Sequence, residues 1–407
     1  MEAKSSGPIS NALQRESKVV DQAVAAPSEG YLAEEPISKD KLEEKIAVAT
    51  PRQLMWWRFR KHKVALASVV VLVIFYLLAA FAEFVAPYDP EVFAASAKFV
   101  PPQIPSFIDG NGQFTLRPVV FGLSQERDPE TLRVIYQPDE SVWYPIYFFV
   151  RGQPYEFWGL WETDIHLFGL GENAEEGTLF ILGSDRLGRD MFSRILYGAR
   201  ISLSIGLVSV FLSLILGIVL GGISGYYGGQ IDNAIQRVIE FIRSIPSIPL
   251  WMALSAALPP TWPQELRYFG ITVILSLIAW TGLARVVRGR FLSLREEDFV
   301  LGARLSGTSE MGIILRHMVP SFLSHIIASL TLSIPAIILS ETALSFLGLG
   351  LRQPVISWGV LLQEAQNIRT VALAPWLLLP GMAVVIAVLA FNFLGDGLRD
   401  AADPFAR

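Results

Sequence analysis

The sequence predicts an all-α integral membrane protein of six transmembrane helices that carries a small, mostly β extracytoplasmic insertion. Hydrophobic residues make up 52% of the 407 residues, charged residues only 17%, and the mean hydropathy is +0.43. Several uncharged apolar runs are long enough to cross about 30 Å of hydrocarbon at about 1.5 Å per residue. One long segment after the first run instead contains short apolar and aromatic stretches separated by turn compositions, which favours strands.

The apolar runs place the predicted helices along the chain. Three runs are clearly long enough to span a bilayer, at about 64–85, 201–225 and 372–394. Three more are shorter or interrupted, at about 238–258, 268–284 and 322–346. They are counted as spans because extended apolar surface in water is rare. Pro246, Pro249 and Pro335 are expected to break or kink helices within or near the membrane.

Basic residues set the predicted orientation. Arg58, Arg60, Lys61 and Lys63 immediately precede the first run, and short cytoplasmic loops are enriched in Lys and Arg. Both termini and the segment 286–320 are therefore expected in the cytoplasm, and residues 87–199 outside. The predicted organisation is a disordered cytoplasmic tail at 1–51, an interfacial segment and first helix at 52–86, the insertion at 87–199, and a core of five helices at 200–407.

The insertion is predicted to be a small, mostly β domain over about 91–182. Its stretches "GQFTLRPVVFGL", "TLRVIYQP" and "VWYPIYFFVRG" are separated by "DGNG", "QERDPE" and "RGQP", which are typical of turns. Its acidic residues have no spacing that indicates catalysis, so a solvated surface is the expected role.

The charged stretch 295–321 lies between two apolar runs and is predicted to form helix, turn and helix. The first helix would place Phe299, Val300 and Leu301 near one face, Gly307 would end it, and Thr308 or Ser309 would start the second helix. Spacing alone does not distinguish an interfacial connector from an interaction surface.

This stretch resembles the cytoplasmic loop of permease subunits of ATP-binding-cassette importers. The family pattern is Glu-Ala-Ala, three residues, Gly, and a later hydrophobic residue, any residue, Leu-Pro. Leu301, Gly302 and Ala303 occupy the first triplet, Gly307 the glycine, and Val319-Pro320 the end. Leu301 stands where the family has an acidic residue and Gly302 where it has alanine, so a contact made through that carboxylate is not expected here.

The resemblance extends over about 52–86 and 183–406. "WWRFRKHKVALASVVVLVIFYLLAAFAEFVAPYDP", "LGSDRLGRDMFSRILYGARISLSIGLVS", "GGISGYYGGQIDNAIQR", "SETALSFLGLGL" and "GDGLRDAADPF" are similar to segments of the second permease subunit of dipeptide, oligopeptide and nickel importers. The resemblance implies the type I importer permease fold, a location in a bacterial or archaeal inner membrane, and alternating access. It also implies that the chain imports oligopeptides. An oligosaccharide or other bulky nutrient is the alternative solute, and a membrane-anchored receptor or enzyme is a more distant alternative.

The same resemblance implies partners and the residues that contact them. These partners are a second, non-identical permease, two ATPase subunits, an extracytoplasmic binding protein and membrane lipid. The coupling residues would be Leu301, Gly302, Ala303, Arg304, Leu305, Ser306, Gly307 and Thr308. The insertion is expected to help receive the binding protein or guard the pathway entrance.

The expected chemistry of the chain is non-catalytic. The sequence has no G-x-x-x-x-G-K-[ST] phosphate loop, its four histidines lack metal-ligand spacing, and its net charge of −5 gives no reason to expect nucleic acid. We expect no cofactor or metal on this chain, with ATP and Mg²⁺ bound by the partner subunits.

Polar and helix-breaking residues within the apolar runs are candidates for the pathway or its gate. They are Glu341, Pro249 and Trp251. An ionisable residue in a span usually faces protein or a water-filled path, and Glu341 is equally suited to bracing the turn at "SFLGLGL". Glu240 and Arg243, three residues apart, are expected to pair along one helix.

Overall fold

The computed structural model of the chain describes residues 50–127, 129, 134–171, 177–259 and 261–402. The described residues from Met55 onward belong to one compact unit. The tail predicted at 1–51 lies almost entirely outside the described residues, and so do residues 403–407.

Helices make up most of the described chain. In chain order they are α1 Pro51–Lys61, α2 Lys63–Ala80, α3 Ala82–Val85, α4 Met191–Tyr227, α5 Gly229–Ser244, α6 Ser247–Ala256, α7 Gln264–Leu294, α8 Asp298–Leu305, α9 Glu310–Gly312, α10 Val319–Ser321, α11 Leu323–Phe346, α12 Trp358–Leu362, α13 Ile368–Leu373 and α14 Leu379–Ala402. A π-helical turn, Ile313–Met318, joins α9 to α10, and 3-10 turns at Gln363–Gln366 and Pro375–Leu378 precede α13 and α14.

Five helices in the described residues are long and apolar enough to cross a membrane: α2, α4, α7, α11 and α14 with the turn before it. The sixth predicted span, 238–258, is not one straight helix. Helices α5 and α6 meet there at an angle of 87°, and they make a sixth span only if they cross as one broken unit. Ile245 is extended at the bend, because the residue before a proline disfavours the helical conformation. Pro246 follows with a ψ of 131°, which is also non-helical. Pro335, by contrast, lies within α11 without ending it.

The predicted pair between Glu240 and Arg243 is wrong. Glu240 instead pairs with Arg237, one turn earlier, at 2.8 Å. Both side chains are largely exposed, so this pair contributes little to stability.

Helices α4 and α7 approach closely because α4 carries glycine at every fourth position. A Cβ at Gly217, Gly221 or Gly225 would lie within 3 Å of Leu283, Ala284 or Phe291 of α7. Close backbone approach at small residues is a usual basis of helix packing in membranes. The hydroxyls of Ser209 and Ser213 on α4 also donate to the carbonyls of Thr272 and Ser276 on α7, at 3.2 and 3.3 Å.

The insertion contains two antiparallel sheets, which confirms the prediction of a small β insertion. Strands β1 Ser106–Ile108, β2 Phe114–Arg127 and β3 Val134–Pro145 form the first sheet in that order, and β4 Tyr147–Phe157 pairs with β5 Trp161–Gly169 in a hairpin. A small apolar core beneath the sheets is formed by Val120, Ile146, Leu170 and Leu179.

The main core lies where α2, α4, α11 and α14 meet the short helix α12. Trp358 at the start of α12 is almost completely buried, its ring meets Phe75 of α2 edge-on, and its indole N–H donates to the Ile195 carbonyl of α4. The loop that holds α12 therefore packs among the helices, where the polar site around Glu341 also lies.

Candidate functional site

Helix α8, in the predicted coupling segment, is held to the helical core by one face. Val300 is fully buried and Ala303 nearly so, and both belong to an apolar cluster with Phe291 of α7 and with Ile313 and Met318 of the following π turn. Residues three apart lie on the same side of a helix, so this face fixes the position of α8.

The opposite face of α8 is exposed and partly apolar. It presents Leu301 and Leu305, which are four residues apart, and the side chain of Leu305 is 90% exposed. Gly302 lies between them, and a Cβ there would meet nothing within 4 Å. The outer face is therefore a shallow apolar surface with no cover within the described chain.

Gly307 ends α8 in a Schellman motif. Its φ is +77°, its N–H donates to the Arg304 carbonyl, and the N–H of Thr308 donates to the Ala303 carbonyl, both at 3.1 Å. These are the two bonds that define the motif, in which glycine is favoured because it adopts positive φ without strain.

The second half of the segment begins one residue after Thr308. Ser309 caps α9 by accepting a hydrogen bond from the N–H of Gly312 at 3.2 Å. A surface depression of about 550 Å³ opens beside the turn, lined by Ser306, Gly307, Thr308, Ser309, Met311, Gly312, Leu315 and Arg316. The exposed side chains of Met311 and Leu315 extend the apolar surface of α8.

Two aromatic residues at the end of α4 tie the segment to the membrane core. The Arg304 guanidinium lies over the Tyr226 ring, 5.6 Å from its centroid, and the Tyr227 hydroxyl donates to the Glu310 carboxylate. The segment thus contacts the end of the long apolar helix α4 through both of its halves.

The predicted helix–turn–helix form agrees with the structure, and Ser309 starts the second helix. The grouping of Phe299, Val300 and Leu301 near one face is wrong, because only Val300 is buried. Consecutive helical residues are about 100° apart, so three in a row cannot share one narrow contact face.

Glu341 of α11 lies at the centre of a buried polar site. Its side chain is fully enclosed, and it accepts hydrogen bonds from the hydroxyls of Ser345 and Ser357, both at 2.8 Å, and of Ser202 at 3.4 Å. These serines in turn hold backbone groups, since Ser202 accepts from the N–H of Trp358. In this geometry the carboxylate braces the α11–α12 turn against α4; a role of Glu341 in the pathway stays a prediction.

The other two pathway candidates lie on α6. Pro249 is exposed in the first turn of this helix, whereas Trp251 packs partly against the main core and its buried indole N–H has no hydrogen-bond partner in the described chain. Among the described residues, Glu341 hydrogen-bonds to serines and not to Trp251, and a role of Pro249 and Trp251 in the pathway stays a prediction.

Sequence reasoning missed a buried charge network where the chain enters α4. Asp185 accepts from Arg189 Nε at 2.6 Å, and Arg189 also reaches Glu364, 3.3 Å away in the turn after α12. The dense charges of "GSDRLGRD" were the available signal. The network joins two segments about 180 residues apart in sequence, which the local pattern does not show.

No group of three or more His, Cys, Asp or Glu side chains in the described ranges is placed to hold a metal ion. The exposed apolar side chains of the segment include Leu301 and Leu305 on α8, Met311 on α9 and Leu315 on the π turn.

Comparison with known proteins identifies the family. Residues 217–407 match the model of the binding-protein-dependent transport system inner membrane component, and residues 50–102 match the N-terminal transmembrane domain of oligopeptide transport permease C. The oligopeptide transport system permease protein OppC of Escherichia coli K12 is 40% identical over 244 residues, which are 60% of this chain and 78% of that protein. The dipeptide transport system permease protein DppC of Alkalihalophilus pseudofirmus is 41% identical over 223 residues, 54% of this chain and 71% of that protein.

Among solved structures, a MetNI methionine ABC transporter chain in an inward-facing conformation aligns with a TM-score of 0.42 and 20% identity, over 52% of this chain and 97% of that one. Sequence identity to the two permeases is about twice as high as to the MetNI chain. The two family-model matches include the first helix and the segment that contains α8. The chain belongs to the family of inner membrane permease components of binding-protein-dependent transport systems.

Proposed function

We propose that the chain is the permease subunit of an ATP-driven importer of oligopeptides, and that α8 couples it to a partner ATPase. The supporting observation is the division of α8 into a buried face that fixes it to the membrane core and an exposed apolar face centred on Leu301 and Leu305. Exposed apolar patches in a charged segment mark protein interaction sites.

The partners in this proposal follow from what the chain lacks by itself. Its sequence has no phosphate loop, so hydrolysis of Mg-ATP is assigned to two ATPase subunits. A second, non-identical permease would cover the faces of the spans that are left open in this chain, and an extracytoplasmic binding protein would deliver the solute. The insertion stays a prediction as the receiving surface for that protein.

The orientation belongs to the same proposal. The basic residues Arg58, Arg60 and Lys61 in the last turn of α1 favour a cytoplasmic N-terminus. With α5 and α6 crossing as one broken span, the chain crosses six times, and α8 and the C-terminus lie on that same side.

The docking role of α8 is tested by two matched substitutions. Leu305 on α8 and Leu116 on β2 are 90% and 89% exposed, so Leu305→Ser and Leu116→Ser remove equally uncovered side chains. Burying a leucine in an interface contributes about 2 kcal/mol, which is roughly a 30-fold change in affinity. We expect Leu305→Ser to weaken retention of the ATPase subunits on the purified complex by about that factor, and Leu116→Ser to leave it unchanged. Equal retention by both variants would refute the docking role.

The solute is tested by uptake. The matched relatives include permeases named for oligopeptide and dipeptide transport, and we extend a peptide solute to this chain on that basis. Vesicles that contain the complete transporter are incubated with a peptide mixture and, separately, with an oligosaccharide mixture, and the accumulated compounds are identified by mass spectrometry. ATP-dependent accumulation of oligosaccharides but no peptides would replace the proposed solute by the alternative one.

A further inference from the structure

We propose that the tip of the β4–β5 hairpin, residues 157–161, is a membrane anchor that lies in the lipid headgroup region beside the end of α2. The hairpin tip belongs to the insertion, which the sequence predicts to lie outside the membrane with its acidic residues on a solvated surface. Five observations on its position, charge and exposure support an interfacial location.

The first observation is the position of the hairpin along the end of the first span. The ring of His166, midway along β5, contacts the Ala86 carbonyl at 2.6 Å. Closer to the tip, the Phe157 ring lies 5.8 Å from that of Phe81, and the Trp158 indole N–H donates to the Ala80 carbonyl at 2.9 Å. Because α2 ends at Ala80, the hairpin tip lies level with the end of the apolar helix.

The second observation is an ion pair at the same level. Arg200 pairs with Glu83 at 2.6 Å and also donates to the carbonyls of Ala79 and Ala80. Its guanidinium lies over the Trp158 ring, 4.3 Å from the centroid. Glu83 lies just beyond the end of α2, and Arg200 immediately precedes the uncharged run of α4 that begins at Ile201. Long Arg side chains at the ends of apolar runs reach the membrane interface, so we take this pair to mark the interfacial depth, and Trp158 lies against it.

The third observation is the amphipathic character of the hairpin tip. Phe157 and Trp161 are direct partners across the two strands, and their rings stack at 5.7 Å. The next pair is Glu156 with Glu162, and successive residues of a strand point to opposite faces. One face of the hairpin therefore carries two aromatic rings, and the other carries two carboxylates that are exposed to water.

The fourth observation is the exposure of large apolar side chains. Leu160 is 72% exposed and Trp161 59% exposed. Moving one large apolar side chain completely out of water is favourable by about 1.5–3 kcal/mol, so contact with lipid would stabilise both residues. Through the contact of Phe157 with Phe81, which follows the last residue of α2, the apolar surface continues into a stripe of exposed residues along α2, formed by Val70, Val73, Ile74 and Leu77.

The fifth observation is the residue type. Trp is enriched where membranes meet water because one edge of its ring is apolar and its N–H needs a partner. At the hairpin tip the Trp158 N–H has its partner in the Ala80 carbonyl, while about half of the residue stays exposed. These residues are matched to a lipid interface, with the aromatic face toward the acyl chains and the carboxylate face toward water.

The depth of the hairpin tip is measured by spin labelling, for which the chain is well suited because it contains no cysteine. Leu160→Cys and, as the matched control on the other sheet, Leu116→Cys are labelled with a nitroxide. Each variant is reconstituted as the complete transporter in vesicles of phosphatidylethanolamine and phosphatidylglycerol. The unsubstituted chain in the same complex gives the background signal. Collision of the label with oxygen, which partitions into lipid, is compared with collision with a water-soluble nickel complex.

We expect the label at position 160 to collide more with oxygen than with nickel, and the label at position 116 to show the reverse. A label at position 160 that is as accessible to nickel as the control places the hairpin tip in water and overturns the proposal. A label at position 160 that is shielded from both reagents places it under a protein partner and overturns the proposal as well. The measurement does not depend on transport, so it is independent of the solute and of the docking of α8.

Discussion

Substitutions at Gly307 provide the sharpest test of whether a partner ATPase packs on the turn after α8. The Gly307 φ of +77° costs an L-residue about 1–2 kcal/mol, and a Cβ at this position would meet nothing within 4 Å. The intramolecular cost of Gly307→Ala and Gly307→Gln is therefore the same backbone strain. Any further loss in the glutamine variant must come from a partner that approaches the turn.

The magnitude of that further loss follows from packing. If a rigid cleft encloses the turn, the extra side-chain atoms of glutamine would overpack it at a cost of about 1–3 kcal/mol, or roughly 5- to 150-fold in docking affinity. Gly112 in the insertion is the matched control, because its φ is also +77° and its Cβ position is equally open. Gly112→Gln carries the strain without lying near α8.

The assay compares peptide uptake, ATP hydrolysis and the thermal stability of the purified complex. We expect all three variants to lose similar, small amounts of stability. Gly307→Gln should lose uptake and retain fewer ATPase subunits, Gly307→Ala should lose less, and Gly112→Gln should transport normally. If Gly307→Gln transports as well as Gly112→Gln, nothing packs tightly on this turn and the coupling argument is wrong.

Three further predictions concern the buried sites. Glu341→Leu leaves three serine hydroxyls without their acceptor and should destabilise the chain by about 2–4 kcal/mol, whereas Glu341→Gln keeps an acceptor and should retain most stability in a thermal unfolding assay; equal losses would contradict the bracing role. Burial raises the pKa of the Asp190 carboxyl from 3.8 to about 6, against the opposing hydrogen bonds from Ser193, so the stability that the neutral form provides is lost as pH rises between these values. Asp190→Asn should therefore flatten the melting temperature between pH 4 and pH 6, and an unchanged pH dependence would contradict this. Gly221→Ala puts a Cβ 2.5 Å from the Ala284 carbonyl oxygen and should reduce the yield of folded protein in gel filtration. Gly282→Ala, whose Cβ position is open, should not reduce it. Similar yields of the two variants would show that α4 and α7 can separate without cost.

The spans could be predicted from the sequence because length and hydropathy act locally. Uncharged runs predicted all five long helices, and Pro246 indicated the interruption of the sixth. The bend of 87° at that proline could not be predicted, because a proline can interrupt a helix, as Pro246 does, or lie within one, as Pro335 does, and the direction of the next helix depends on what it packs against. Gly307 is similar: a glycine between two helical patterns predicts a break, whereas the two hydrogen bonds of its turn require the structure.

Only the tertiary structure showed which face of α8 is buried and which distant residues surround Glu341. Phe299, Val300 and Leu301 are all apolar, and only the position of α7 and the π turn selects Val300 for burial. Glu341 could be seen as an acid in an apolar run, but one of its partners, Ser202, is 139 residues away.

The hairpin tip shows the same division between local and long-range information. Aromatic residues around 157–161 could be read from the sequence as a core or as a binding surface, since composition does not show where a residue lies relative to the end of a membrane span. The contact between Trp158 and Ala80, across 78 residues, sets that depth. Local chemistry thus determined which segments of this chain are helices, strands and turns, whereas only packing between distant segments decided which side chains face protein, water or lipid.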